Sequence, residues 1–150
     1  DAQSGSDENE GTSPDTAWKT FANTKRLRLQ AGGKLLLKAG CTWNGEQLSI
    51  WEAAGTPENP VLLGRYGEGD DPIINGAGNP WQTDKNAPKQ DVAAVHVYNS
   101  KYITVQDLEV TNTEKDEADW SVTMPKRNRA GICSQVSLLR IMTQETCRGL

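Results

Sequence analysis

The sequence predicts an all-β chain wound as a solenoid, with a short capping helix before the first strands and the winding incomplete at the carboxyl end. Three observations predict it. Short apolar runs, many alternating with period two, are broken by Gly, Pro, Asn and Asp. No helical segment of useful length separates those runs, which argues against a doubly wound α/β fold. Finally, three runs within AVHVYNSKYITVQDLEVTN, residues 94–112, follow one another with one to three residues between them. No Asn-Gly type of two-residue hairpin signal stands at those joints. A chain that bends between strands and keeps winding explains this better than a meander. A compact β-sandwich is the alternative that the missing hairpin turns speak against.

The elements follow in order. Residues 1–12 are polar and rich in Gly and Ser, and read as an extended lead-in. Residues 13–150 are read as the capping helix plus the first coils. Ser13-Pro14-Asp15 looks like a helix start: a capping hydroxyl, a proline at the first helical position and an acid at the positive end of the dipole. The helix is predicted to run to about Asn23, with Ala17, Trp18, Phe21 and Ala22 on one face. Strands are predicted at 34–38, 47–51, 61–66, 73–75, 94–98, 102–106, 108–112, 132–136 and 138–143. In the central triplet Val95 and Val97, Ile103 and Val105, and Leu108 and Val110 point inward. Asn112 closes the third strand of that triplet. Strands 48–51, 61–66 and 73–75 form an earlier, looser triplet, and 132–136 with 138–143 begin a later one. Units of about 20–40 residues that cannot bury their own face are what stacked solenoids look like.

Composition bounds the function. One hundred and fifty residues suit a single domain. No apolar run approaches the ~20 residues of a membrane span. A net charge of −4 without a long basic patch argues against nucleic-acid binding. Three cysteines, Cys41, Cys133 and Cys147, leave at least one thiol unpaired within the chain. Cys133 and Cys147 could close a short loop, but spacing alone does not establish a disulfide. There is no Cys-x-x-Cys pair to suggest a zinc ribbon or a redox motif.

Candidate chemistry gathers around two long loops, 76–91 and 113–130, each following a third strand. They carry Trp81 and Trp120, whose indoles could stack on pyranose rings; the plainer reading is that each staples its own loop. His96 is the single histidine and alternates outward between Val95 and Val97. It could donate to a sugar hydroxyl or act as an acid or base, or it is simply an exposed strand histidine. Cys133 is expected beside it on the next coil, without an evident third group to complete a nucleophilic pair. Asp107, Glu109, Asp116, Glu117 and Asp119 are the carboxylates in this region. A glycosidase needs two of them about 5–9.5 Å apart. Glu109 with Arg129 reads more simply as an ion pair, and 116–119 as a solvated charge run. Glu68, Asp70 and Asp71 alternate with Gly in a turn that could offer oxygens to calcium; otherwise no cofactor is indicated.

These residues resemble a known family. GSDENEGTSPDTAWKTF, GGKLLLKAGCTWNGEQL, GTPENPVLLGRYGEGDDPIINGAG and YITVQDLEVTN are similar to the opening of secreted right-handed parallel β-helix proteins, the pectin-lyase-like carbohydrate-active enzymes. LEVTN and Arg127-Asn128-Arg129-Ala130-Gly131-Ile132 resemble lacto-N-biosidase-type glycoside hydrolases in particular. Gly33 stands where such proteins usually carry Asp, and residues 137–150 follow the pattern poorly. The resemblance implies a secreted or cell-surface glycoside hydrolase or polysaccharide lyase, with carbohydrate as its partner and the catalytic groups on later coils. A non-catalytic carbohydrate-binding or adhesin-type β-helix is the alternative. Solenoids need a polar cap at each end. Here the capping helix supplies one, so further coils or a second chain are expected to complete the other.

Overall fold

The computed structural model describes residues 1–77, 92–112, 129–136 and 139–141. Within them the chain is all-β. Ten strands run in the order β1 (Lys34–Lys38), β2 (Thr42–Asn44), β3 (Leu48–Trp51), β4 (Val61–Tyr66), β5 (Ile73–Asn75), β6 (Val92–Ser100), β7 (Ile103–Val105), β8 (Glu109–Thr111), β9 (Arg129–Val136) and β10 (Leu139–Ile141). Three sheets collect every third strand: β1-β4-β7-β10, β2-β5-β8 and β3-β6-β9. Every pairing between these strands is parallel. The strand triplets expected from sequence fall on successive visits to the three sheets. β2 was not anticipated, because three residues, Thr42-Trp43-Asn44, are too few to show a period.

Register stacks like on like. Leu48 lies opposite Val95, and Val95 opposite Ile132. Ile50 lies opposite Val97, Val61 opposite Ile103, and Leu63 opposite Val105. Val95, Val97, Ile103 and Val105 are buried as alternation requires, while Leu108 and Val110 are half-buried against the same cluster. Parallel strands with both neighbours present bury one continuous apolar column, and that column is the core.

Bends between strands are made by single residues in the left-handed region. Glu52 (φ 53°) follows β3, Asn99 (φ 45°) and Tyr102 (φ 49°) flank the join of β6 and β7, and Asp107 (φ 54°) separates β7 from β8. Asn and Asp tolerate that conformation better than most side chains. Each turn is tied to the layer before it. Gln106 N donates to the Leu63 carbonyl at 3.0 Å, and Glu109 N to the Pro72 carbonyl at 3.0 Å. This is why the polar Gln106-Asp107 corner needs no hairpin chemistry.

The expected capping helix is absent. Pro14–Thr16 forms one 3-10 turn and Thr24–Arg26 another, with no α-helix among the described residues. The start signals were sound: Ser13 is extended and its N–H donates to Thr16 Oγ1 at 3.2 Å. Continuation fails because the backbone groups a helix would pair internally are engaged elsewhere. The Thr16 carbonyl accepts Gly11 N (2.8 Å), and the Ala17 carbonyl accepts Ser6 N (3.0 Å) and Asn9 Nδ2 (3.2 Å). Lys19 N and Thr20 N donate to Asp7 Oδ1 at 3.0 and 2.8 Å. Ala17 is accordingly extended, at ψ 145°.

The lead-in nonetheless packs on the first strands. Phe21 stacks on Trp43 with ring centroids 5.1 Å apart, and Trp43 Nε1 donates to the Lys19 carbonyl at 2.8 Å. Lys38 pairs with the buried Asp1 carboxylate at 3.0 Å, and Asp1 also accepts Ser4 Oγ at 2.6 Å. Cys41 is a buried free thiol, 3.6 Å from Asp1 Oδ1. Cys133 and Cys147 lie outside the described side chains. No helix among the described residues is long and apolar enough to cross a membrane.

Candidate functional site

The outward face of the sheet β3-β6-β9 carries the site. Leu48 and Ile50 on β3, and Val95 and Val97 on β6, are directed to the core. Alternation therefore puts Ser49 and Trp51 of β3, and His96 and Tyr98 of β6, on the other side. The parallel register sets Ser49 beside His96 and Trp51 beside Tyr98.

Three rings meet there. Trp51 and Tyr98 have centroids 4.7 Å apart at an interplanar angle of 49°. His96 sits 6.2 Å from each, edge-on to Trp51 at 62° and to Tyr98 at 71°. Such tilted and edge-to-face contacts suit aromatic quadrupoles and hold the rings in fixed orientation. Tyr98 is 37% exposed, the one large hydrophobic side chain in the exposed class among the described residues. Trp51 and His96 are half-buried and brace it, and Ser49, in register with His96, is buried. The result is a small rigid aromatic platform with a polar tip at Tyr98 and an imidazole at its edge.

Of the expected sugar-contacting residues, His96 belongs to this platform. Trp81 and Trp120 lie outside the described residues, as do most of loops 76–91 and 113–130. Cys133 is in register with His96 and Gln135 with Tyr98. Trp51 and Tyr98 were not singled out from sequence. The signal was present: LSIW and AVHVY each place an aromatic two residues from another outward position, and the two strands share a place in their triplets.

The other candidates lie elsewhere. Asp107 is at the β7–β8 corner, where its Oδ2 accepts Gln106 Nε2 at 3.0 Å, and Glu109 is exposed on β8. Asp116, Glu117 and Asp119 are outside the described residues, and so is the side chain of Arg129. The Glu68, Asp70 and Asp71 turn does not gather its carboxylates. Asp71 pairs with Arg65 at 3.3 Å, Arg65 Nη1 donates to the Gly69 carbonyl at 2.6 Å, and no group of three potential metal ligands occurs among the described residues. The Arg65 guanidinium supplies the charge that Asp71 faces.

One further polar group is conspicuous. The Tyr66 hydroxyl is buried and has no hydrogen-bond partner among the described residues. Burial raises its pKa, with the nearby Lys38 ammonium opposing and Cys41 adding to the rise.

No family model matches the chain. A lacto-N-biosidase of Bifidobacterium longum subsp. longum is 33% identical over 129 residues, covering 77% of this chain and 8% of that protein. Two crystal structures of a GH136 lacto-N-biosidase from Eubacterium ramulus superpose on 93% of the chain. The selenomethionine derivative gives a TM-score of 0.70 and the native protein 0.68, each at 26% identity. The likeness is to glycoside hydrolases. The chain spans 8% of the length of the first relative and 25% of the first solved chain, so it corresponds to a portion of each.

Proposed function

We propose that this chain is the amino-terminal part of a secreted or cell-surface glycoside hydrolase that acts on an oligosaccharide. On this reading the three parallel sheets are the faces of a right-handed parallel β-helix. The lead-in covers one end, and further coils or a second chain meet the other. The observation that carries the proposal is the agreement of a whole-chain superposition with sequence identity to lacto-N-biosidases. A three-sheet topology in which every third strand pairs in parallel supports the winding.

The chemistry of glycoside cleavage requires two carboxyl groups across the scissile bond, about 5–5.5 Å apart for retention and 6.5–9.5 Å for inversion. Asp107 and Glu109 stand at the β7–β8 corner and on β8, whereas the aromatic platform is on the sheet β3-β6-β9. The described residues are therefore assigned to nucleating the winding and contacting sugar, with the catalytic pair on other coils.

The test uses the full-length protein. It is incubated with a panel of p-nitrophenyl β-glycosides of mono- and disaccharides and with polygalacturonate. Release of nitrophenol with a new reducing end supports the hydrolase. An unsaturated uronide product would instead make it a lyase. Saturable binding of saccharides without turnover would favour the non-catalytic binding module.

A further inference from the structure

We propose that the Trp51–His96–Tyr98 platform is a saccharide subsite that stacks the apolar face of a neutral pyranose, with Tyr98 as the contact ring. This deepens the glycosidase reading and rests on it for the identity of the occupant.

Exposure sets Tyr98 apart from the rings beside it. Outward rings on a sheet normally lose area to their neighbours, and Trp51 and His96 do so. Tyr98 instead keeps 37% of its surface open while one side is fixed by Trp51 at 4.7 Å. Its orientation is thus set before any ligand arrives, so little side-chain freedom is lost on binding. An amphipathic partner suits it: C–H groups against the ring and hydroxyls within reach of the phenol and the imidazole. A pyranose has that pattern, and a purely apolar partner would leave the Tyr98 hydroxyl unmatched.

Charge narrows the class. The outward side chains of β3 and β6 at this platform are Ser49, Trp51, His96 and Tyr98, none of them Lys or Arg. The nearby guanidinium of Arg28 is committed to Glu52 at 2.8 Å. A uronate carboxylate would be desolvated here with no Lys or Arg among the described outward side chains of β3 and β6 to pair with it, which costs affinity. A neutral sugar carries no such cost.

The test is a saturation-transfer NMR titration of the full-length protein with methyl β-glucoside, methyl β-galactoside, methyl N-acetyl-β-glucosaminide, lactose and methyl galacturonide. At least one neutral glycoside is expected to receive saturation on its ring C–H protons. Tyr98→Ala should weaken that binding about tenfold or more, and Tyr98→Phe should retain most of it. Methyl galacturonide should bind weakest. The thermal midpoint of Tyr98→Ala, measured alongside, shows that the variant is folded; if it is not, Tyr98→Ser and Tyr98→Phe give the same comparison. The proposal is overturned if no neutral glycoside binds, if Tyr98→Ala or Tyr98→Ser leaves binding unchanged, or if the uronide binds best. Nitrophenyl-glycoside turnover by the same samples separates the two readings. Hydrolysis that is intact with Tyr98-independent binding sinks the subsite alone. Tyr98-dependent binding without hydrolysis sinks the catalytic assignment alone.

Discussion

At the scale of the residue, Asp7 does more than any other side chain of the lead-in. Its Oδ1 accepts Lys19 N and Thr20 N, its Oδ2 accepts Thr20 Oγ1 at 2.6 Å, and its carbonyl accepts Asn23 Nδ2 at 2.9 Å. The Thr20 hydroxyl is the largest cause of its lowered pKa. The Thr20 N–H, the Lys19 N–H and the Lys19 charge act in the same direction, and slight burial opposes them. A carboxyl group whose folded pKa lies below the unfolded value of about 3.9 stabilises the fold above that value. The contribution is lost as pH falls through the folded pKa. Asp7→Asn should therefore melt a few degrees below the parent at neutral pH. That gap should close as the buffer is taken below about pH 4, where the parent's carboxyl also protonates. Thermal melts across the acid range read this directly, and a gap that stays constant would refute the assignment.

At the scale of the element, the bends between strands decide the architecture. Gly55, between β3 and β4, shows why. A Cβ there would run into the Tyr102 carbonyl oxygen and sit 2.9 Å from Val61 N and 3.0 Å from the Lys101 carbonyl oxygen. All three are backbone, so no side chain can swing away. Gly55→Ala should cost about 2–3 kcal/mol, as overpacking against fixed atoms does. Gly32→Ala meets no atom within 4 Å and strains only its own φ of 76°, so it should cost about 1 kcal/mol. Urea titrations of the two variants check the order, and equal losses would count against the close approach. Most strands were legible in the sequence because period-two alternation survives without tertiary information. β1 (Lys34–Lys38), β4 (Val61–Tyr66) and β5 (Ile73–Asn75) have the bounds their patterns predict. The helix was misread because its start signals are local, whereas what stops it is Asp7 and Asn9 arriving from earlier in the chain. The candidate site was half legible for a related reason. Alternation turns His96 outward, but only the register with β3 reveals that Trp51 and Tyr98 join it.

At the scale of the whole molecule, stability should be layered. Each strand pairs only with the strands above and below it in its own sheet. β4, β5 and β6 have partners on both sides, whereas β1, β2 and β3 have strand partners on one side alone. The first layer is covered on its other side by the lead-in, and the joint is the Phe21–Trp43 stack with the Trp43–Lys19 hydrogen bond. Trp43 is 3% exposed, so Trp43→Ala should cost about 3–5 kcal/mol. If the winding proposed above holds, that loss falls first on the strands nearest Trp43. Hydrogen exchange of the full-length protein should then quicken at the amides of β1, β2 and β3 by tenfold or more. The amides of Val95 and Val97, held between β3 and β9, should change less. Equal acceleration at every amide would mean that the layers open as one cooperative unit and that the lead-in acts on the whole fold. Acceleration confined to β1, β2 and β3 would identify residues 1–27 as a cover whose hold on the first layer is set largely by one indole.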